Sequence, residues 1–226
     1  IEEQGTVIIA GIGRFGQIVN RLLVANGIHT VVLDQQAAQV DLMRQINTKA
    51  YFGDASRPDL LHTAGIEEAS MIVIAIDNQE TSVELTKYVK HTYPKVKVLA
   101  RAFDRGHGYL LRQAGADMIE LETYHSALEM GVHAMRELNY HPFLVEQQKA
   151  AYKDVEKRKS DLLYQAWADE STGERFDNNY RKVFIHLEEQ IQLAIKADRM
   201  DGHEVGDRGW TPPPKGYIDD FKEESL

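Results

Sequence analysis

Through the first 121 residues, apolar and polar positions alternate between two periods. Residues 6–10 (TVIIA) form a short β-branched apolar run that stops at glycines. Helical spacing follows at Ile18, Leu22 and Leu23 and ends at Asn26-Gly27. Residues 30–34 (TVVLD) predict a second strand with an acid at its carboxyl end, and Val40, Leu42, Met43 and Ile46 a second helix. The pattern repeats with a strand over 49–52, a short helix around Leu60, Leu61 and Ala64, and a fully apolar strand over 71–76 (MIVIAI). A helix over 80–91, a strand over 96–100, a helix over 108–114 and a strand over 118–121 complete it. Continuous apolar runs of four to six residues suit strands buried on both faces.

Strands separated by helix-length segments, without hairpin signals, predict a parallel sheet with helices on both faces. Two halves of three strands each make an α/β, Rossmann-like, doubly wound fold. After Thr123 the pattern becomes helical. One helix is expected over 126–138 and a long, heavily charged one over 143–167. Beyond a break at Ser171-Thr-Gly173, Phe176, Tyr180, Phe184, Leu187, Ile191 and Ala194 recur at spacings of three and four. Such a narrow stripe either pairs with another helix or packs on its own domain. The expected organisation is a nucleotide-binding domain over 1–124, a helical extension over 125–200, and a loose acidic tail over 201–226.

The one sharp motif is Gly11-Ile-Gly13-Arg14-Phe15-Gly16, placed after a strand and at the opening of a helix. In that context Gly11 permits a tight turn, Gly13 lets a phosphate approach the backbone, and Gly16 lets the helix lie close on the sheet. Free N–H groups at the helix start then face the phosphate. Asp34, followed by Gln35, ends the second strand, where a carboxylate accepts hydrogen bonds from ribose hydroxyls and repels a 2′-phosphate. NAD or a plain adenosine nucleotide is therefore favoured over NADP. Gly53, Asp54 and Ala55, with Ile76 and Asp77, are expected along the same edge beside the adenine, and Arg101 is placed to reach a phosphate.

Composition narrows the chemistry. The net charge of −9 speaks against wrapping nucleic acid. The absence of cysteine excludes disulfides, thiol nucleophiles and Cys-based metal sites. No apolar stretch approaches the roughly 20 residues of a membrane-spanning helix. The chain opens at Ile1 rather than Met, so it is expected to be a piece of something longer. The nine histidines form no H-E-x-x-H or other metal-site spacing. Neither a nucleophile elbow nor a P-loop is present. No catalytic residue is assigned; binding without turnover is the reading. An NAD-dependent oxidoreductase is the rival, and it requires an acid–base residue from a second domain.

Residues 7–17 (VIIAGIGRFGQ), with 32–34 (VLD), 52–55 (FGDA), 75–77 (AID), 99–102 (LARA) and 111–115 (LRQAG), resemble the TrkA-N-like KTN/RCK regulatory domain of Kef-type potassium efflux proteins. The resemblance is dense over about 5–142 and thinner beyond. It implies a domain on the cytoplasmic face of the bacterial inner membrane, attached to a potassium:proton antiporter domain absent from this chain. It further implies a homodimer exchanging helices beyond the sixth strand, AMP or NAD(H) in the glycine site, and glutathione or its adducts as effectors. An ancillary flavoprotein resembling a quinone reductase is implied as well. Arg21 matches a family glutathione residue. At three other such positions, where the family has Arg, Asn and an aromatic residue, this chain has Leu121, Glu156 and Ile46. Either the effector contacts are rebuilt or this member senses something else. A soluble TrkA-type subunit of potassium uptake is a further alternative.

Overall fold

Six short strands align in parallel because their buried residues carry alternate side chains into two cores. In this computed structural model, which describes residues 6–168 and 178–207, the strands are β1 (Val7–Ala10), β2 (Thr30–Asp34), β3 (Lys49–Phe52), β4 (Met71–Ile74), β5 (Lys97–Ala102) and β6 (Met118–Leu121). Their order is β3-β2-β1-β4-β5-β6. Every pairing is parallel. This is the Rossmann-like doubly wound sheet expected from the apolar runs.

Ile8, Ala10, Leu33, Ile72 and Ile74 enter one core, and Val7, Ile9, Val32 and Val73 the other. On the second face, α1 (Arg14–Ala25) contributes Val19 and Leu23, and α2 (Ala37–Gln45) contributes Val40 and Met43. The first face is covered by α3 (Pro58–Thr63), α4 (Gln79–Thr92) and α5 (Arg105–Gln113), through Leu61, Val83, Val89 and Leu111. Ile8, Ile9, Leu33, Ile72 and Ile74 are completely buried. Burial of each such side chain contributes about 1.5–3 kcal/mol.

The register levels the carboxyl ends of the strands. Ala10 stands opposite Leu33 on one side and Ile74 on the other. Beyond those pairs, Gly11 N donates to Leu33 O (2.8 Å), Ala75 N to Ala10 O (2.7 Å) and Gly53 N to Asp34 O (2.9 Å). β4 ends at Ile74, so Ile76 and Asp77 lie in the turn after the strand rather than within it. α5 begins at Arg105, earlier than the spacing predicts, because Asp104 caps it by accepting from His107 N (2.8 Å).

α6 (Tyr124–Glu137) carries the chain across the division between two compact units, Ile1–Gly131 and Val132–Leu226. The second unit contains α7 (Pro142–Ala168) and α8 (Asn178–Asp207), which pack on each other. Leu163 and Ala166 of α7 and Tyr180, Leu187 and Ile191 of α8 are buried. Lys159 Nζ donates to Leu187 O at 3.2 Å, and desolvation by burial holds its ammonium pKa below the usual value. The α8 apolar stripe is thus used within the chain. Phe176 and the Ala194 side chain lie outside the described residues. α8 runs on through Asp207, past position 201 where the tail is expected to begin; the remainder, 208–226, lies outside the described residues. No described helix is long and apolar enough to cross a membrane.

Candidate functional site

A cleft of about 380 Å³ opens at the carboxyl edge of the sheet, within the first unit. Its floor is the turn after β1, with Gly11 and Gly13. One wall comes from the end of β2 and the start of α2: Leu33, Asp34, Gln35, Gln36 and Gln39. A second comes from the turn after β3, with Gly53, Asp54 and Ala55. The third is the β4–α4 turn, with Ala75, Ile76, Asp77 and Asn78, together with Thr81 in the first turn of α4. The strand order reverses between β1 and β4, and open α/β sheets bind ligands in the crevice at such a point.

The three motif glycines meet different surroundings. Gly11 has φ +92°, and a Cβ there would lie 2.7 Å from Ala75 O. A Cβ on Gly16 would lie 2.0 Å from Gly11 O, so α1 sits too close to the turn for any side chain. At Gly13 a Cβ would meet nothing within 4 Å. That position faces the open cleft, where a ligand atom has room to approach the main chain. Gly13 is also the residue before α1, whose first N–H groups lack helical partners and favour an anion.

Asp34 locks this arrangement. Its Oδ2 accepts from Ile12 N and its Oδ1 from Gln36 N, both at 2.7 Å. A carboxylate has about four acceptor sites, so each oxygen retains capacity for a ribose hydroxyl. Asp54 stabilises the next turn by accepting from Ser56 N (2.9 Å) and Ser56 Oγ (2.8 Å). The Ser56 backbone hydrogen bond, above all, holds its pKa below the ordinary aspartate value. Asn78 caps α4 by accepting from Thr81 N at 2.8 Å. Deeper, Ser82 Oγ lies 2.8 Å from His107 Nε2, and His107 Nδ1 accepts from Phe103 N at 3.0 Å. With Nδ1 an acceptor, the neutral ring carries its proton on Nε2, and this buried pair fixes the first turn of α4 beside the cleft.

Of the residues singled out from sequence, Gly11, Gly13, Asp34, Gln35, Gly53, Asp54, Ala55, Ile76 and Asp77 line this cleft together. Gly16 is buried beneath the turn. Arg14, Phe15 and Arg101 are not in the lining. Arg101 is buried at 6% exposure, and its Nη2 donates to Ile76 O and Asp77 Oδ1, both at 2.8 Å. Its Nη1 lies 3.5 Å from Glu122 Oε2, and its guanidinium carbon 5.9 Å from the Phe15 ring centroid. Arg101 is thus a bracket joining β5 to the β4–α4 turn. Arg14, almost wholly exposed, lies 3.5 Å from Glu122. Arg21, Ile46 and Glu156, three of the effector-linked positions, are exposed, exposed and half-buried; Leu121 packs against the first core.

Sequence reasoning missed Leu33, Gln36, Gln39, Ala75, Asn78 and Thr81. Asn78 carried a readable signal, an Asn immediately before a helix. Gln39 is brought in only by the first turn of α2, where Gln17 Nε2 donates to its Oε1 at 3.2 Å.

Residues 7–121 match the TrkA-N domain, and residues 126–209 match the Potassium efflux system KefB C-terminal domain. The chain is 35% identical over 215 residues to the glutathione-regulated potassium-efflux system protein KefC of Cronobacter sakazakii, covering 95% of this chain and 34% of that protein. It is 44% identical over 142 residues to the KefC of Escherichia coli O157:H7, covering 63% of this chain and 23% of that protein. The chain therefore spans about a third or less of the length of these relatives. Among solved structures, the Shewanella denitrificans Kef CTD in AMP-bound form is 36% identical, with a TM-score of 0.66 over 72% of this chain and 99% of that one. The GsuK structure bound to ADP is 26% identical, with a TM-score of 0.52 over 57% of this chain and 33% of that one. The chain belongs to the TrkA-N domain family, and the match of its second half makes it a Kef-type C-terminal regulatory domain.

Proposed function

We propose that this chain is the ligand-sensing regulatory part of a potassium efflux protein and that an adenosine nucleotide, AMP or NAD(H), occupies the cleft between β1, β2 and β4. The observation that carries this reading is the open space at Gly13 beside Asp34, in a chain 36% identical to the AMP-bound Kef CTD, with 72% of this chain covered. The backbone N–H groups opening α1 hold the phosphate, Asp34 accepts from the ribose hydroxyls, and Gly53, Asp54 and Ala55 border the base. By this reading the nucleotide braces the domain or signals through it.

By the same reading the attached domain is a membrane potassium:proton antiporter, and the chain acts at the cytoplasmic face of the bacterial inner membrane as a homodimer with exchanged helices. Glutathione or its adducts bias the dimer, with Arg21 as a contact, and a flavoprotein resembling a quinone reductase binds as an ancillary subunit. Shifting a gate from 1:99 to 99:1 requires about 5.5 kcal/mol of differential binding. Two sites in a dimer each contribute about half of that. A nucleotide acting only as a brace instead adds about 2.7 kcal/mol of folded-state stability at 100 times its dissociation constant.

Mass spectrometry of the small molecule released when the purified chain is heat-denatured tests the reading. AMP or NAD(H) is expected from the unmodified chain and none from Asp34→Ala. Release of no nucleotide, combined with no binding of added AMP, overturns it. Hydride transfer from NADH by the purified chain is the outcome that favours the oxidoreductase alternative.

A further inference from the structure

Two ties from one segment of the chain hold the cleft wall formed by the β4–α4 turn and the start of α4. Arg101, in β5, takes Ile76 O and Asp77 Oδ1, both at 2.8 Å. The second tie starts at His107 in α5 and reaches Ser82 in α4, and its donors all run one way. Phe103 N donates to His107 Nδ1 at 3.0 Å, the ring Nε2–H donates to Ser82 Oγ at 2.8 Å, and the Ser82 hydroxyl donates to Gln79 O at 2.9 Å. Ser82 N donates in addition to Asn78 O at 3.1 Å, and Asn78 Oδ1 accepts from Thr81 N at 2.8 Å. Asn78 and Thr81 line the cleft, whereas Ser82 and His107 do not.

Packing alone does not call for this chain of polar groups. Ser82 is completely buried and His107 is 3% exposed, on helix faces that otherwise bury Val83, Leu85, Val89 and Leu111. Apolar side chains fill such a space without taking polar groups out of water. A fully bonded polar chain instead fixes a single geometry, here that of the first turn of α4. We propose that Ser82 and His107 are positioning residues for the bound nucleotide, holding Asn78 and Thr81 in place against the ligand without touching it. This rests on the nucleotide reading above. A wall already ordered before the ligand arrives spares the ligand the entropy of ordering it, which is affinity gained without a new contact.

The test is isothermal titration of the full chain, stripped of ligand, with AMP. Ser82→Ala removes both ends of the Ser82 hydroxyl link and is expected to weaken AMP binding roughly three- to tenfold. Thr86→Val is the control. The Thr86 hydroxyl is equally buried and donates to Ser82 O at 2.8 Å, one turn farther from the cleft. That variant is expected to lower the melting temperature and leave AMP affinity unchanged. The ring nitrogens of His107, identified in 15N spectra by their loss in His107→Gln, are expected to report a neutral ring protonated on Nε2 and to shift saturably as AMP fills the unmodified chain. Parent-like AMP affinity in Ser82→Ala, an equal loss in Thr86→Val, or His107 resonances unmoved at AMP saturation overturns the positioning role and leaves the nucleotide site intact. Failure of the unmodified chain to bind AMP overturns the nucleotide reading and this inference together.

Discussion

The carboxylate of Asp34 accepts a hydrogen bond from the backbone N–H of Ile12 at 2.7 Å, tying the end of β2 to the glycine turn after β1. A second bond, from Gln36 N, ties the same side chain to the start of α2. Asp34→Ala therefore removes a ribose acceptor and loosens the turn that receives the phosphate. A loss of nucleotide affinity of at least about tenfold is expected by titration, with a stability loss of about 1–3 kcal/mol in urea. Retained affinity with lowered stability would confine Asp34 to a structural role.

Gly13 and Gly16 separate binding from folding. Gly16→Ala drives a methyl against the Gly11 carbonyl and is expected to cost about 1–3 kcal/mol or more, read as a lower urea midpoint. Gly13→Ala meets no protein atom and should leave the midpoint unchanged or slightly raised. Its methyl occupies the ligand's space, so nucleotide affinity should fall. If Gly13→Ala binds as tightly as the parent chain, the phosphate is not held there.

Arg101 is the buried half of an unequal pair, since the Asp77 side chain is 93% exposed. Arg101→Met frees the carbonyl of Ile76 and leaves half-buried Glu122 without its inner cation. It should destabilise the chain by about 2–3 kcal/mol. Asp77→Asn should cost under about 1 kcal/mol, because an exposed partner contributes little. Equal costs for the two substitutions would mean that the bracket's strength lies in the ion pair and not in the carbonyl contact.

Asp117 makes folding sensitive to acid. Burial alone raises its pKa, but the hydrogen bond from Val98 N at 2.7 Å and the Lys90 ammonium at 2.9 Å outweigh it, and the folded value lies below the ordinary one. A depressed folded pKa means stability fully present above the unfolded value of about 3.9 and lost as pH falls through the lower folded value. The Asp117→Asn chain should therefore show a shallower loss of stability below about pH 4 than the parent. Parallel pH profiles for the two chains would rule out this contribution.

Much of the fold was legible because most strands are short, nearly continuous apolar runs and each of α1 to α5 ends within two residues of a Gly, Asn or Pro. The glycine turn, Asp34 and the Gly53–Asp54 turn were legible for the same reason: they punctuate the ends of such runs. Arg101, expected within reach of a phosphate, is buried, with its Nη2 on Ile76 O and Asp77. A charged residue after an apolar run reads as exposed, and only the neighbouring Ala100 and Ala102, both buried, hint that the strand continues through it. The start of α5 was hidden by Gly106 and Gly108, since helix propensity penalises glycine while Asp104 supplies the cap. Gln36, Gln39 and Thr81 reach the cleft only through the placement of α2 and α4, which no local pattern encodes.

The contact between Gly11 and Ala75 joins segments far apart in the chain but side by side at the reversal of strand order. With no void between them, neither main chain can shift without displacing its neighbour. The glycine floor of the crevice is thereby braced from behind by a turn that Arg101 of β5 itself holds, through Ile76 O and Asp77.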